Sequence, residues 1–161
     1  MNIKEFIRLI ACGICKSLGG EVLIPPEPLL KPQVRKEVDG NYIFSILNAV
    51  VPNATHIYLS DNTYWLCSET DIDIFLGIDA TNKDQFVAEE HDCDDFSYRL
   101  MGQLSTPEWS GIAFGIVWTN LHALNCFIDD TGKFWFIEPQ TDQLQDKLEA
   151  WQGTEILHII M

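Results

Sequence analysis

The sequence predicts an α+β fold in which helices come first along the chain and pack on a mostly antiparallel C-terminal sheet. In much of the chain up to Gly102, apolar residues recur at the three- and four-residue spacing of amphipathic helices. After Pro107, short apolar runs alternate with turn sequences, as adjacent antiparallel strands do. The 161 residues, 47% of them hydrophobic, suffice for one core, so we predict a single domain over residues 1–161.

The N-terminal segment, residues 1–33, is predicted to be a helix followed by a stiff arm. Apolar side chains repeat at helical spacing between Asn2 and Ser17, and two glycines then stop the helix. The proline-rich stretch 25–28 favours an extended connector. The core, residues 34–161, is predicted to begin with a second helix from about Tyr42 to Val50, which Pro52 closes.

Two short β-strand candidates, His56–Leu59 and Thr63–Leu66, flank an Asp-Asn turn sequence, and this pattern predicts a hairpin. Ser68 is followed three residues later by Asp71, which is typical of a helix start. A short helix that ends near Gly77 is therefore expected next.

The C-terminal part of the chain is predicted to supply most of the sheet, because its apolar runs are short and end at turn residues or prolines. The predicted elements are strands Ile112–Trp118, His122–Ile128, Lys133–Glu138 and Glu155–Ile160, with a helix from about Asp142 to Trp151 before the last strand.

A helix is predicted to begin at Cys93 and to end at about Gly102. Asp92 is a good N-cap residue, and Asp95 three residues later forms a capping-box-like pair with it. Cys93 then occupies the first helical position, where the helix dipole and unpaired backbone N–H groups favour a thiolate and can hold an oxyanion. Cys93 is therefore a candidate nucleophile.

The charge balance excludes several classes of partner. There are 10 Lys and Arg against 24 Asp and Glu, a net charge of −14, and such a chain repels phosphate backbones and anionic lipid. We therefore expect neither a nucleic acid nor a membrane partner, and no apolar run reaches the roughly 18 residues of a membrane span. A neutral or basic protein or peptide substrate, or a divalent cation, fits this charge better.

The cysteines are odd in number and widely spaced, unlike those of a disulfide-stapled secreted domain. They are Cys12, Cys15, Cys67, Cys93 and Cys126. We expect all five to be reduced and the protein to be cytoplasmic.

His122 and Glu138 are the candidate partners of the thiol. They lie on two consecutive predicted strands, eight residues either side of the turn at Asp130. Because side chains alternate along strands, a turn centred there places the two opposite each other on one face. An imidazole next to a carboxylate is an oriented base, and its approach to Cys93 would complete a Cys-His-Glu triad.

These residues and their order resemble the papain-like cysteine peptidase superfamily and its transglutaminase-like relatives. The resemblance rests on the blocks around Cys93, His122 and Glu138, covers roughly residues 55–161, and is greatest to the C-terminal domain of a fungal agglutinin. Small uncharacterised phage-encoded proteins carry similar blocks. The resemblance implies a papain-like core, a Cys-His-Glu triad and calcium-dependent proteolysis.

Two further sites follow from this resemblance. Papain-type enzymes carry a Gln six residues before the nucleophile, where it donates a hydrogen bond to the oxyanion. That position is Val87 here. Gln85 is the nearby candidate for the donor, and a Trp is the alternative. Like charges around the sulfur disfavour a thiolate, and a bound Ca²⁺ would remove that penalty. The candidate metal ligands are Glu89, Asp92, Asp94 and Asp95.

The sequence thus predicts a cysteine hydrolase, either a peptidase or an amide- or acyl-transfer enzyme. Its chemistry requires no cofactor, although the resemblance implies activation by Ca²⁺. The alternative is a catalytically silent phage or host-interaction module that keeps the same fold and binds a partner through its acidic surface. A calcium-binding structural protein is a third possibility.

Overall fold

The computed structural model describes residues 31–33 and 35–161. Three α-helices lie in this part of the chain: α1 (Gly40–Val50), α2 (Glu69–Ile78) and α3 (Cys93–Leu104). An acidic or hydroxyl residue precedes each helix as its N-cap, and the Asp39 carboxylate, for example, accepts the Tyr42 N–H at 2.9 Å at the start of α1. The helix predicted between Asn2 and Ser17 and the proline-rich stretch 25–28 lie outside the described residues.

Eight strands form two sheets in the described part of the chain. The strands are β1 (Lys36–Asp39), β2 (His56–Tyr58), β3 (Thr63–Leu66), β4 (Phe114–Thr119), β5 (Ala123–Ile128), β6 (Phe134–Glu138), β7 (Gln143–Gln145) and β8 (Ile156–Ile160). β1 and β3 form a two-stranded sheet, and the other six follow the order β2-β8-β4-β5-β6-β7, in which only the β2–β8 pair is parallel. The predicted α+β class, with helices on a mostly antiparallel sheet, is confirmed.

The predicted hairpin of His56–Leu59 with Thr63–Leu66 is wrong. β2 instead lies parallel to β8, with His56 opposite His158, whereas β3 pairs with β1. The Tyr64 hydroxyl on β3 donates to the C=O of Met161, just after β8, at 3.0 Å and so links the two sheets at this point. Both strands thus have partners distant in the chain, which a local turn signal cannot reveal.

The helix predicted from Asp142 to Trp151 is also wrong. Asp142 has a φ of 60°, and the chain then forms the edge strand β7, whose Gln143 lies opposite Glu138. A single 3₁₀ turn, Ala150–Gln152, follows before β8. Pairing with the edge of β6 satisfies backbone groups here and overrides the weak local preference for helix.

The sheet separates two apolar layers, because side chains alternate between its faces. Leu124, Cys126 and Phe136 point to the layer that contains α1, whereas Phe127 and Ile137 point to the layer that contains α2 and α3. Glu138 follows the alternation of Phe136 and so lies on the α1 face. The candidate nucleophile and the candidate carboxylate therefore belong to opposite faces and can approach each other only around the end of the sheet.

Candidate functional site

Cys93 lies at the first position of α3, as predicted. The Asp92 N–H donates to Asp95 Oδ2 at 3.2 Å, so the expected capping box is present at the helix start. A tight turn precedes it, in which the Val87 and His91 backbones exchange hydrogen bonds and Glu89 has a φ of 64°. The cap and the turn together hold the chain in place immediately before the sulfur.

A buried amide ties α3 to the sheet. Asn125 on β5 is fully buried, and its Nδ2 donates to the C=O of Ser97 on α3 at 3.0 Å and to the C=O of Gly115 on β4 at 3.2 Å. Phe96 and Leu100 bury the apolar side of the helix next to this anchor. The N-terminal end of α3 is thereby fixed beside the start of β5, where His122 lies.

His122 and Glu138 are in direct contact. His122 Nε2 lies 2.8 Å from Glu138 Oε2, and their side chains are 8% and 3% exposed. The observed register pairs Asn125 with Ile137, a shift of two residues from the symmetric pairing predicted. An even shift keeps both side chains on one face, so the pair meets diagonally instead of directly across.

The chain that follows β7 encloses this pair. Gln152, which is fully buried, donates from Nε2 to Glu138 Oε2 at 3.1 Å, and the Trp151 ring lies over the His122 ring with centroids 5.0 Å apart. The sequence did not identify these two residues, because it placed them at the end of a helix. The aromatic-polar pair Trp151-Gln152 before Gly153 was the only local signal.

An open cleft of about 260 Å³ contains the sulfur and the imidazole together. Cys93, Asp94, Trp118 and His122 contribute to its lining. Among the described residues, no hydrogen bond joins the Cys93 sulfur to the His122 ring, and the backbone N–H of Ala123 lies against the sulfur instead. The structure thus brings two of the three predicted triad members into contact and places the third in the same cleft.

The surroundings raise the pKa of the Cys93 thiol, contrary to the expectation from its place at the helix start. Burial is the largest cause, and the nearby charges of Asp92 and Asp94 add to it, whereas the N–H groups of Ala123 and Cys93 act in the opposite direction. The expected stabilisation of a thiolate is therefore outweighed, and the thiol form is favoured at rest.

Of the four carboxylates predicted to bind a metal, two converge. A carboxylate oxygen of Asp92, one of Asp94 and the Cys93 sulfur lie within 4.8 Å of one another. A hydrogen bond between the two acids lowers the pKa of Asp92 and raises that of Asp94. Asp95 serves the helix cap, and the contact of Glu89 in this cluster is a 3.3 Å hydrogen bond from its backbone N–H to Asp92 Oδ2.

These donors fit a hard cation in part. Carboxylate oxygens are the ligands that Ca²⁺ prefers, but Ca²⁺ takes six to eight oxygens and a sulfur is a poor substitute. Two converging carboxylates would therefore need several waters to complete the shell.

The predicted oxyanion donor Gln85 is exposed, precedes the turn at Val87 and is absent from the residues that line the cleft.

Comparisons with known proteins identify solved structures of similar fold. No protein-family model and no curated protein sequence matches the chain. Among solved structures, PSL1a of Polyporus squamosus in complex with E64 is similar over 78% of this chain and 50% of its own, with 19% identity and a TM-score of 0.67. Polyporus squamosus lectin bound to the human-type influenza-binding epitope Neu5Aca2-6Galb1-4GlcNAc is similar over 78% and 49%, with 18% identity and a TM-score of 0.61.

The chain thus spans about half the length of these lectins, and identities this low establish a common fold alone. The likeness to an agglutinin-type fungal lectin, expected from the sequence, is confirmed at the level of fold. Membership of the papain-like superfamily stays a prediction. Within the described part of the chain, no helix combines the length and apolar character needed to cross a membrane.

Proposed function

We propose that the cleft at the start of α3 is the active site of a cysteine hydrolase that cleaves or transfers acyl groups of peptide or isopeptide substrates. The observation that carries this proposal is the 2.8 Å contact of His122 with Glu138 beside a cleft that also contains Cys93. A buried imidazole that is oriented by a carboxylate and opens onto a thiol is the arrangement nucleophilic catalysis needs.

Each residue then has a definite role. Glu138 occupies Nε2 of the imidazole, which leaves Nδ1 to take the Cys93 proton and later to return it to the leaving group. The thiolate attacks the substrate carbonyl, and the Cys93 backbone N–H donates to the oxyanion. Gln85 stays the proposed second donor, which requires that substrate binding bring its segment towards the cleft.

The acidic surroundings indicate which substrates enter. A net charge of −14 and the adjacent Asp92 and Asp94 favour a neutral or basic peptide over an acidic one. If Ca²⁺ binds, Asp92 and Asp94 would hold it, and its charge would remove the electrostatic part of the penalty on the Cys93 thiolate. The roles of Cys93, His122 and Glu138 do not depend on it.

A binding module without turnover is the second candidate, and the comparisons favour it over the hydrolase because the two solved structures described above are lectins. The raised pKa of Cys93 also agrees with it. An aromatic groove of about 440 Å³ lies beside the cleft, where Tyr58 is 69% and Tyr98 55% exposed and Trp118 lines both cavities. Exposed aromatic rings of this kind stack on sugars or bind apolar side chains.

Peptide-resolved mass spectrometry after iodoacetamide treatment separates the two functions. The hydrolase requires that Cys93 be alkylated at neutral pH much faster than Cys67, whose pKa burial raises to about 12, or Cys126, which is fully buried. Cys93→Ser is the matched control for the site. Alkylation of Cys93 no faster than that of Cys67 in the folded protein would contradict the hydrolase and leave the binding module.

A direct test of the second function is binding to immobilised glycans and to basic peptides. The binding module predicts saturable binding that Tyr98→Ala weakens and Cys93→Ser leaves unchanged. Binding that is equal in the wild type and in Tyr98→Ala would exclude the aromatic groove as its site.

A further inference from the structure

The side-chain amide of Gln152 has a single possible orientation. Its Oε1 lies 2.9 Å from the backbone N of Glu149 and also accepts from Gln145 Nε2. A backbone N–H is always a donor, so the atom that faces it must be the oxygen. The amide nitrogen of Gln152 therefore points the other way, to Glu138 Oε2 at 3.1 Å.

This orientation fixes the Glu138 oxygen that the His122 ring meets. Glu138 Oε2 receives the Gln152 N–H from one side and meets His122 Nε2 at 2.8 Å from the other. As a carboxylate oxygen, Oε2 accepts from the amide and from the ring alike, and the amide donor holds it in that place. Nε2 must then bear the hydrogen, and in the neutral ring Nδ1 is left with the basic lone pair.

We propose that Gln152 is a positioning residue that acts through Glu138 to set the tautomer of His122. The Glu149 backbone N–H orients the Gln152 amide, the amide orients the Glu138 carboxylate, and the carboxylate orients the imidazole. The consequence for catalysis rests on the proposed hydrolase function, because a basic Nδ1 matters only if it accepts the Cys93 proton. The tautomer itself does not depend on that function.

The backbone around Gln152 is held as firmly as its side chain. Thr119 Oγ1 donates to the C=O of Gln152 at 2.5 Å and accepts the N–H of His122 at 2.9 Å, which ties the two segments together. Gly153 has a φ of 108°, and a Cβ there would lie 2.6 Å from the same hydroxyl oxygen. Only glycine allows this close approach, so the position of Gln152 over Glu138 is built into the backbone.

Trp151 closes the arrangement from the outside. Its ring is tilted 56° from that of His122 with the centroids 5.0 Å apart, and its Nε1 donates to Glu149 Oε2 at 2.9 Å. The ring thus covers part of the imidazole and helps to keep it beside Glu138.

The test is the tautomer of His122, read from the ¹⁵N chemical shifts of its ring in the folded full-length protein. Gln152→Met keeps the side-chain volume and removes the donor to Glu138, and Gln145→Leu is the matched control because the Glu149 N–H still orients Gln152. The wild type and Gln145→Leu should show hydrogen on Nε2 alone. Gln152→Met should show a mixture of both tautomers and a roughly tenfold lower rate of Cys93 alkylation at neutral pH.

Two results would separate this inference from the proposed function. An unchanged tautomer in folded Gln152→Met overturns the positioning role, whatever the alkylation rate. If the tautomer changes as expected but Cys93 is alkylated no faster than Cys67 even in the wild type, the positioning role stands and the hydrolase fails. Gln152→Leu serves if Gln152→Met does not fold, because it is a smaller apolar side chain that also lacks the donor.

Discussion

The two halves of the cleft are built in opposite ways. The imidazole half, made of His122, Glu138 and Gln152, is buried, joined by hydrogen bonds and fixed by backbone contacts. The thiol half, made of Cys93, Asp92 and Asp94, is partly exposed, crowded with like charge and shifted towards the protonated thiol. His122 is therefore oriented as a base before any ligand binds, whereas the reactivity of Cys93 depends on the charge beside its sulfur.

This difference suggests where control of the site resides. Because the imidazole half has its hydrogen-bond partners already, ligands or ions change it little. A basic substrate group or a cation near Asp92 and Asp94 would lower the pKa of the Cys93 thiol and move its proton towards His122. Four measurements test the contrast, in order of decreasing effect.

Loss of the imidazole should have the largest effect. His122→Ala removes the only proposed base, so the rate of Cys93 alkylation at neutral pH should fall about a hundredfold. His158→Ala, on β8 between β2 and β4, is the control and should leave that rate unchanged. A rate that is equal in the two variants would mean that the imidazole half does not serve the thiol.

Displacing the segment that covers Glu138 should come next. Gly153→Ala places a Cβ 2.6 Å from Thr119 Oγ1 at a φ of 108°, and it should lower the free energy of unfolding by about 1–3 kcal/mol. Gly102→Ala is the matched control, because no atom lies within 4 Å of its Cβ and alanine favours the helix. Urea unfolding followed by circular dichroism measures both; equal stability of the two variants would show that the segment tolerates displacement.

Neutralising one acid in the thiol half should increase reactivity moderately. Asp94→Asn removes a negative charge that raises the pKa of Cys93, so that pKa should fall towards the ordinary value of 9.0. The alkylation rate at pH 7.5 should rise about threefold to tenfold. Asp73→Asn, on the exposed side of α2, is the control, and a slower rate in Asp94→Asn would reverse the sign of the electrostatic argument.

Ionic strength should have the smallest effect. Salt screens the partly exposed carboxylates from the sulfur but barely reaches the buried His122–Glu138 pair, so 0.5 M NaCl should raise the wild-type alkylation rate about twofold. The same salt should leave the rate of Asp94→Asn nearly constant. An equal response of both proteins would show that the charge effect comes from elsewhere on the acidic surface.

Local sequence patterns predicted part of this structure correctly. They failed where a segment pairs with residues far away in the chain. The capping box at Asp92 and Asp95 and the place of Cys93 at the start of α3 depend on neighbouring residues, and the sequence predicted them. The shared face of His122 and Glu138 also followed from the alternation of side chains, although the register was two residues out. The roles of Gln152 and Trp151 were missed because the chain forms β7 and then a 3₁₀ turn there instead of the predicted helix.

The sequence by itself determined the α+β class, the start of the cysteine helix and the pairing of an imidazole with a carboxylate, since these depend on periodicity, capping and alternation over a few residues. The tertiary structure alone decided that the thiol and the carboxylate come from opposite faces of the sheet, that burial and like charge raise the pKa of Cys93, and that Gln152 orients Glu138. Desolvation and the geometry of buried hydrogen bonds depend on which distant segments pack together, and no short stretch of sequence contains that information.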